Sequence, residues 1–293
     1  MSDAMIVDLA PAERVLHDLR KLVGQNASDL LTIFDVYAGE VRFGRALIAD
    51  DLAKLPREAR ILEVGAGSLM LSCVLVSEGY KVTALEPVGT GFSHFTRLQA
   101  IVSEYATQRS ILPELLSMPG EELDAENCFD YAFSVNVMEH VNDVARVLER
   151  VHASLAHGGT YRFMCPNYAF PYEPHFNLPT LINRRLTEKI LWSWIAGSKK
   201  LPDPIGTWNS LNWITVRSVR HICRRQLGIE PVFDPGIFRT LLTRALSDEM
   251  FQARRGPLLR GIIAMLQRVG LLGLTRLIPV AWLPVMDCRV TRR

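Results

Sequence analysis

The stretch Ile61-Leu62-Glu63-Val64-Gly65-Ala66-Gly67 constrains this chain more than any other. An apolar run enters a glycine turn, and a second apolar run, Lys81-Val82-Thr83-Ala84-Leu85, ends in Glu86-Pro87. Glu86 lies 19 residues past Gly67. A strand, a glycine turn and a neighbouring strand tipped with a carboxylate form a cradle at the carboxyl ends of parallel strands. Gly65 and Gly67 let a ligand approach the backbone with no Cβ in the way. Glu86 is placed to accept hydrogen bonds from the two hydroxyls of a ribose. The pairing therefore points to a nucleoside-bearing cofactor.

The turn alone does not choose between ligands. The third glycine of a dinucleotide G-x-G-x-x-G pattern would fall at Met70, where a bulky residue opposes close packing around a pyrophosphate. Glu63, inside the strand end, suits a cationic group such as an amino-acid ammonium.

The rest of the chain repeats the alternation. Residues 12–55 read as helical, with Val15, Leu16, Leu19 and Leu22 at helical spacing. Strands are expected at 60–64, 81–85, 111–116, 129–135, 160–164, 229–233 and 286–291, with helices between them. That order predicts an α/β fold, a Rossmann-like doubly wound and mostly parallel sheet of seven strands. Its strand-to-helix loops share one edge, where ligands bind. The expected organisation is a helical cap (1–59), a cofactor-binding core (60–165), a substrate lid (166–214) and a segment (215–293) that completes the sheet and carries a helical, basic, apolar insertion, all within one domain.

Size and composition exclude several classes. The chain has 293 residues, 48% of them hydrophobic, and a formal charge of +2, which offers nothing for general nucleic-acid binding. The segment from Met1 to Pro11 lacks the apolar core of a secretion signal. Five cysteines stand far apart with no CxxC, so neither a zinc framework nor a disulfide scaffold is expected. A cytoplasmic setting with reduced thiols follows as the expectation.

These pieces resemble the class I S-adenosylmethionine-dependent methyltransferases. Glu63-Val64-Gly65-Ala66-Gly67 looks like the family's first motif, Glu86 like its ribose-binding acid, and Phe129 to Val141 like its fourth-strand motif. Gly158-Gly159 is similar to the turn before its fifth strand. The resemblance implies that Glu63 and the Gly65-Ala66-Gly67 backbone hold the methionine end of S-adenosyl-L-methionine and that Glu86 holds the ribose. Pro87, Met118 and Glu121 would lie near the adenine, and Asn136 would reach the cofactor from strand four. One departure is Leu69, where members often carry glycine, so the methionine pocket is expected to be narrower.

Methyl transfer to oxygen needs a base, and two histidines are candidates for catalysis. His175 lies in the aromatic, proline-bearing segment that leaves strand five, close to Glu173; its alternative is a structural loop histidine. His140 shares an i, i+3, i+4 pattern with Asn136 and Glu139, one face of a helix if that segment is helical. Some ubiquinone-pathway and small-RNA relatives bind magnesium with Glu, Glu and His at this spacing. Asn136 replaces the first Glu and removes a charge, so no metal is assigned, although His175 could complete a set. Aromatics (Tyr168, Tyr172, Trp192, Trp194, Trp208, Trp213) are candidates for the substrate side or the core, and Tyr37, Arg42 and Phe43 for covering the cofactor.

The expected acceptor is a small molecule, glycan or lipid-linked intermediate methylated on oxygen. The Asn/Asp-Pro-Pro-Tyr motif of nitrogen methylation is absent after strand four, where the chain reads Ser134-Val135-Asn136-Val137. Two other readings stand beside it: an inactive scaffold that keeps the fold, and an NAD-dependent oxidoreductase, which Met70 opposes. From Arg239 to Arg293 the chain carries ten Arg against three acids, around an apolar helical face. Such a basic amphipathic helix packs on the protein's own core, on a second copy in a homodimer, or on an anionic membrane surface.

Overall fold

The computed structural model describes residues 8–87, 93–199, 201, 203–247 and 257–293. Seven strands form one sheet: β1 (Arg60–Val64), β2 (Lys81–Leu85), β3 (Glu114–Leu116), β4 (Phe129–Val135), β5 (Leu155–Pro166), β6 (Val232–Phe233) and β7 (Val285–Thr291). Their order is β3-β2-β1-β4-β5-β7-β6. β1 runs parallel to β2 and to β4, and β2 parallel to β3. β7 is antiparallel to both β5 and β6. The expected mostly parallel, seven-stranded α/β sheet is present.

The chain divides into two compact units, and the division runs through β4 rather than at any boundary read from the sequence. The first comprises Met1–Pro119 with Asn127–Phe133. It holds α1 (Ala10–Asn26), α2 (Leu31–Leu47), α3 (Ala49–Leu52), α4 (Met70–Ser77) and α5 (Ser93–Arg109). In α1 the residues Ala12, Val15, Leu16, Leu19 and Val23 form one buried stripe, the helical spacing seen in the sequence. β1 and β2 are buried at every position but the first, as strands covered on both faces must be.

The second unit comprises Gly120–Glu126 with Ser134–Arg293. It holds α6 (Val144–Ser154), α7 (Arg184–Ala196), α8 (Pro204–Ser210), α9 (Val216–Ile222), α10 (Gly236–Ser247) and α11 (Pro257–Arg268). Asp143 caps α6, Asn183 caps α7 and Asp203 caps α8, each accepting a backbone N–H from the first turn. β5 and β7 are stapled by the buried bidentate pair of Arg162 with Asp287, whose closest contact is 2.6 Å.

Element bounds differ from expectation where short strands gain their length from partners. β3 keeps only three residues of the expected six, and β6 two of five, since each lies at a sheet edge and is paired on one side. β5 runs from Leu155 to Pro166: β7 pairs with it from Thr160 to Pro166, and Gly158 and Gly159 exchange backbone bonds with Arg292. The expected start of α5 at Gly91 lies outside the described residues.

Candidate functional site

In the first unit the glycine turn is built as the sequence requires. Gly65 and Gly67 take positive φ angles of 74° and 52°. The N–H groups of Gly65 and Ala66 donate to Leu85 O, closing the turn onto the end of β2. Gly67 N–H donates to Glu86 Oε2 at 2.8 Å, so the two halves of the motif are locked together through the carboxylate. Burial holds the Glu86 carboxyl above the usual carboxylate range, and the bond from Gly67 opposes that shift. Pro87 follows at the tip of β2, half-buried.

Glu63 is buried in β1 and accepts a hydrogen bond from Ser72 Oγ on α4. Burial pushes its carboxyl up to about 8; the Ser72 bond opposes this, and the Glu86 charge adds to it. Glu63 is therefore mostly protonated at neutral pH until a cation arrives beside it. Leu69 explains why glycine is common at its position. It takes the left-handed conformation, φ 66°, at the N-cap of α4 while its side chain is fully buried. The residue carries the strain that a glycine would avoid.

Of the residues expected near the adenine, Met118 lies just past β3, half-buried, its N–H donating to Leu116 O. Glu121 belongs to the second unit and has a structural duty. Its Oε1 accepts the N–H groups of Asn142 at 2.8 Å and Asp143 at 3.1 Å, which holds the turn that opens α6. Arg42 is engaged with Glu13 through a bidentate pair and Phe43 is buried, so both serve the packing of the first unit.

The second unit gathers the candidate catalytic groups by a route the sequence did not suggest. Asn136 to His140 is not helical: Asn136 leaves β4 with φ 55°, its N–H donating to Met164 O, and Met138 to His140 form a turn. The shared helical face is thus corrected: Asn136 bends the chain and residues 138–140 close as a turn, so positions 136, 139 and 140 do not stack as i, i+3 and i+4 of a helix. The turn still points Glu139 and His140 inward, and it is anchored by Asn212, whose Nδ2 donates to Met138 O and Val141 O.

His175 joins them. It and His140 meet edge to face with ring centroids 5.1 Å apart. His175 Nδ1 lies 2.6 Å from Glu173 Oε1. Glu173 is fully buried and accepts two further bonds, from Tyr168 OH and from Phe176 N–H. A carboxylate only accepts, so His175 Nδ1 carries the proton and Nε2 presents a lone pair. The tautomer of His140 is fixed in the same way. Ser210 Oγ donates its single hydrogen to Thr207 O, so it accepts from His140 Nδ1, and the lone pair again sits on Nε2. Burial, helped by the neighbouring His175, pushes His140 down to about 3, which makes it a poor proton acceptor at neutral pH.

Glu139, His140 and His175 each offer one ligand atom, and these atoms all lie within 4.8 Å of one another. One carboxylate with two imidazoles, each ring oriented through its Nδ1, is a donor set that fits a divalent cation. The missing Glu at position 136 is offset by a second imidazole. The aromatics sort differently from one another. Trp208 is fully buried, Tyr168 stacks on Trp213 at 5.3 Å, and Phe176 meets Trp208 edge-on; of these side chains Tyr168 reaches the Glu173 carboxylate, through its hydroxyl. Trp192 and Trp194 are exposed on α7.

Residues 40–226 match the model of a methyltransferase-domain family, most of the chain. With the glycine turn locked to Glu86, this places the protein in that family: the chain belongs to it and is an S-adenosylmethionine-dependent methyltransferase. An uncharacterised protein of Mycobacterium tuberculosis is 40% identical over 275 residues, covering 94% of this chain and 93% of its own. The ubiquinone biosynthesis O-methyltransferase of Rickettsia conorii is 27% identical over 101 residues, 34% of this chain and 31% of that one. Among solved structures, the phosphoethanolamine N-methyltransferase 2 of Haemonchus contortus superposes with a TM-score of 0.53 at 14% identity, over 94% of this chain and 60% of that one. This chain thus spans only about 60% of that solved chain, and the likeness is one of fold.

Proposed function

We propose that the protein methylates an oxygen of a small-molecule, glycan or lipid-linked acceptor, with His175 as the base. The observation that carries this reading is the Glu173–His175 pair: a fully buried carboxylate 2.6 Å from Nδ1, which leaves Nε2 as the basic nitrogen. When bound, S-adenosylmethionine supplies a methyl group on a sulfonium leaving group. Glu63 and the Gly65-Ala66-Gly67 backbone would hold its methionine end and Glu86 its ribose, with Pro87 and Met118 as further contacts. His175 Nε2 takes the proton from the acceptor hydroxyl as the O–CH₃ bond forms and the S–CH₃ bond breaks. Glu173 keeps the imidazole in the correct tautomer and stabilises the imidazolium, as an orienting carboxylate does in other His–carboxylate pairs. His140, held neutral, contributes a hydrogen-bonding or ligating nitrogen rather than a proton acceptor.

The clustering of Glu139, His140 and His175 favours a second reading of the same site, in which these residues hold a divalent cation. Such an ion would lower the pKa of a coordinated hydroxyl and orient it.

The test uses labelled S-adenosylmethionine with lipid, glycan, small-molecule, protein and nucleic-acid fractions of a bacterial extract. Label in one of the first three, lost in His175→Ala while S-adenosylhomocysteine still binds, supports the proposal. Label confined to protein or nucleic acid overturns it.

A further inference from the structure

The segment between α10 and β7 presents an apolar, basic surface that the methyl-transfer site does not use. From Pro257 to Met286 the chain holds three arginines, at 260, 268 and 276, and no Asp or Glu. The side chains of Leu258, Leu259, Arg260 and Ile262 lie outside the described residues, as do Arg254 and Arg255, so the surface is defined from residue 263 onward.

Two faces separate cleanly. Ile263 on α11 and Leu272 in the following 3₁₀ segment (Leu271–Leu277) are buried, and so are Ile237 and Ala245 on α10. On the other side Met265, Val269, Leu271, Leu274, Leu277 and Trp282 are all exposed, Leu277 at 79% and Trp282 at 67%. Six large apolar side chains exposed between positions 265 and 282 exceed the scatter of single apolar groups on a water-facing surface. Arg268 and Arg276 stand exposed among them. The next acid along the chain, Asp287, is 1% exposed and engaged by Arg162, so it adds no negative charge to this face.

The surface is held rigidly. Gly270, φ 72°, stops α11 and turns the chain into the 3₁₀ segment. Thr275 Oγ donates to Leu272 O. Asn167 Nδ2 donates to Ala281 O and Leu283 O, the carbonyls on either side of Trp282. Asn167 follows β5 at the start of the loop that carries His175. The ledge is therefore fixed to that loop and not to a free tail.

We propose that this surface docks on an anionic lipid bilayer. An apolar ledge with interspersed arginines, one exposed tryptophan and no acid of its own matches the interfacial layer of such a membrane. There apolar side chains enter the headgroup boundary, a tryptophan sits at its level, and arginines meet lipid phosphates. A partner surface of neutral or basic character would leave Arg268 and Arg276 uncompensated. No helix among the described residues is long and apolar enough to cross a membrane. The contact is peripheral, and it stands independently of the acceptor proposed above.

The experiment is flotation of the full-length protein with vesicles of phosphatidylglycerol and phosphatidylcholine in equal parts, beside vesicles of phosphatidylcholine alone, at low and high salt. The expected result is flotation with the mixed vesicles that weakens as salt is raised and is slight with the neutral ones. Arg268→Gln and Arg276→Gln should each lower partitioning by about fivefold. Leu277→Asp should lower it by about tenfold or more. All three variants should bind S-adenosylhomocysteine as the wild type does, which separates loss of docking from loss of folding. No flotation with the anionic vesicles, or equal flotation with the neutral ones, overturns the proposal. So does a wild-type dimer, seen by light scattering, that Leu277→Asp splits, because the ledge would then be covered by a second copy.

Discussion

If Glu63 receives the ammonium of the cofactor, as proposed, its buried carboxyl should make cofactor binding a proton-release reaction. With its pKa held at about 8, the side chain is about nine-tenths protonated at pH 7. To receive the ammonium of the methionine moiety it must ionise. At pH 7 that ionisation should lower the affinity roughly tenfold. Below pH 8 the affinity should therefore climb about tenfold per pH unit, with close to one proton released for each cofactor bound. The climb ends near pH 8, where Glu63 itself is ionised without the ligand. Glu63→Gln keeps the shape and removes the titration, and it serves as the reference. Calorimetry of S-adenosylhomocysteine binding, in buffers of different ionisation enthalpy between pH 6 and 9, reads both quantities. The effect on stability has the opposite sign. Glu63 has its folded pKa raised above the unfolded 4.5, so the ligand-free protein gains its contribution fully below about pH 4.5 and loses it as pH rises through about 8. Absence of proton release at pH 7, or the same pH profile in wild type and Glu63→Gln, refutes this coupling.

Four further outcomes are expected. Glu86→Ala removes both the anchor of Gly67 and a ribose acceptor, and a charge-assisted bond of about 1.5–3 kcal/mol implies cofactor binding weaker by about ten- to hundredfold in a direct titration. His175→Ala should leave that binding near normal and lower turnover by about 10²–10⁴, while Glu173→Gln, acting through the same ring, should lower kcat less and displace the pH–rate profile, which a merely structural role would not do. Leu69→Gly relieves about 1–2 kcal/mol of left-handed strain but empties a fully buried site, a loss of about 2–5 kcal/mol, so the melting temperature should fall. If Glu139, His140 and His175 hold a cation, dialysis against a chelator lowers turnover and a divalent ion restores it; unchanged turnover removes that reading.

The glycine turn and its bond to Glu86 are legible in the sequence because their signals are local. Strand, glycine turn and carboxylate are bound to each other by backbone geometry over a short stretch of chain. Gly65 and Gly67 need positive φ, and Glu86 sits where β2 ends, so the cradle could be read from spacing alone. β4 was placed at 129–135 for a similar reason, an apolar run with a clear start. The cluster of Glu139, His140 and His175 is legible in the sequence only as a set of residue types. His140 and His175 are 35 residues apart, and the helical spacing shared by Asn136 and His140 is interrupted by a left-handed residue. What brings the rings together is a turn held by Asn212 and a loop held by Glu173, both long-range or loop-borne contacts with no periodicity to announce them.

The sequence by itself determined the fold class, the strand that enters the glycine turn and the carboxylate that the turn bonds, since a strand's alternation, a helix's repeat and a glycine turn are properties of short segments. Only the tertiary structure decided that Glu121 holds a turn, that Tyr168 bonds a buried carboxylate while Trp208 is buried among aromatics, and that Met265, Leu277 and Trp282 face outward. Burial is set by which surfaces meet, and an apolar residue reads the same in a core and on a ledge until its neighbours are known.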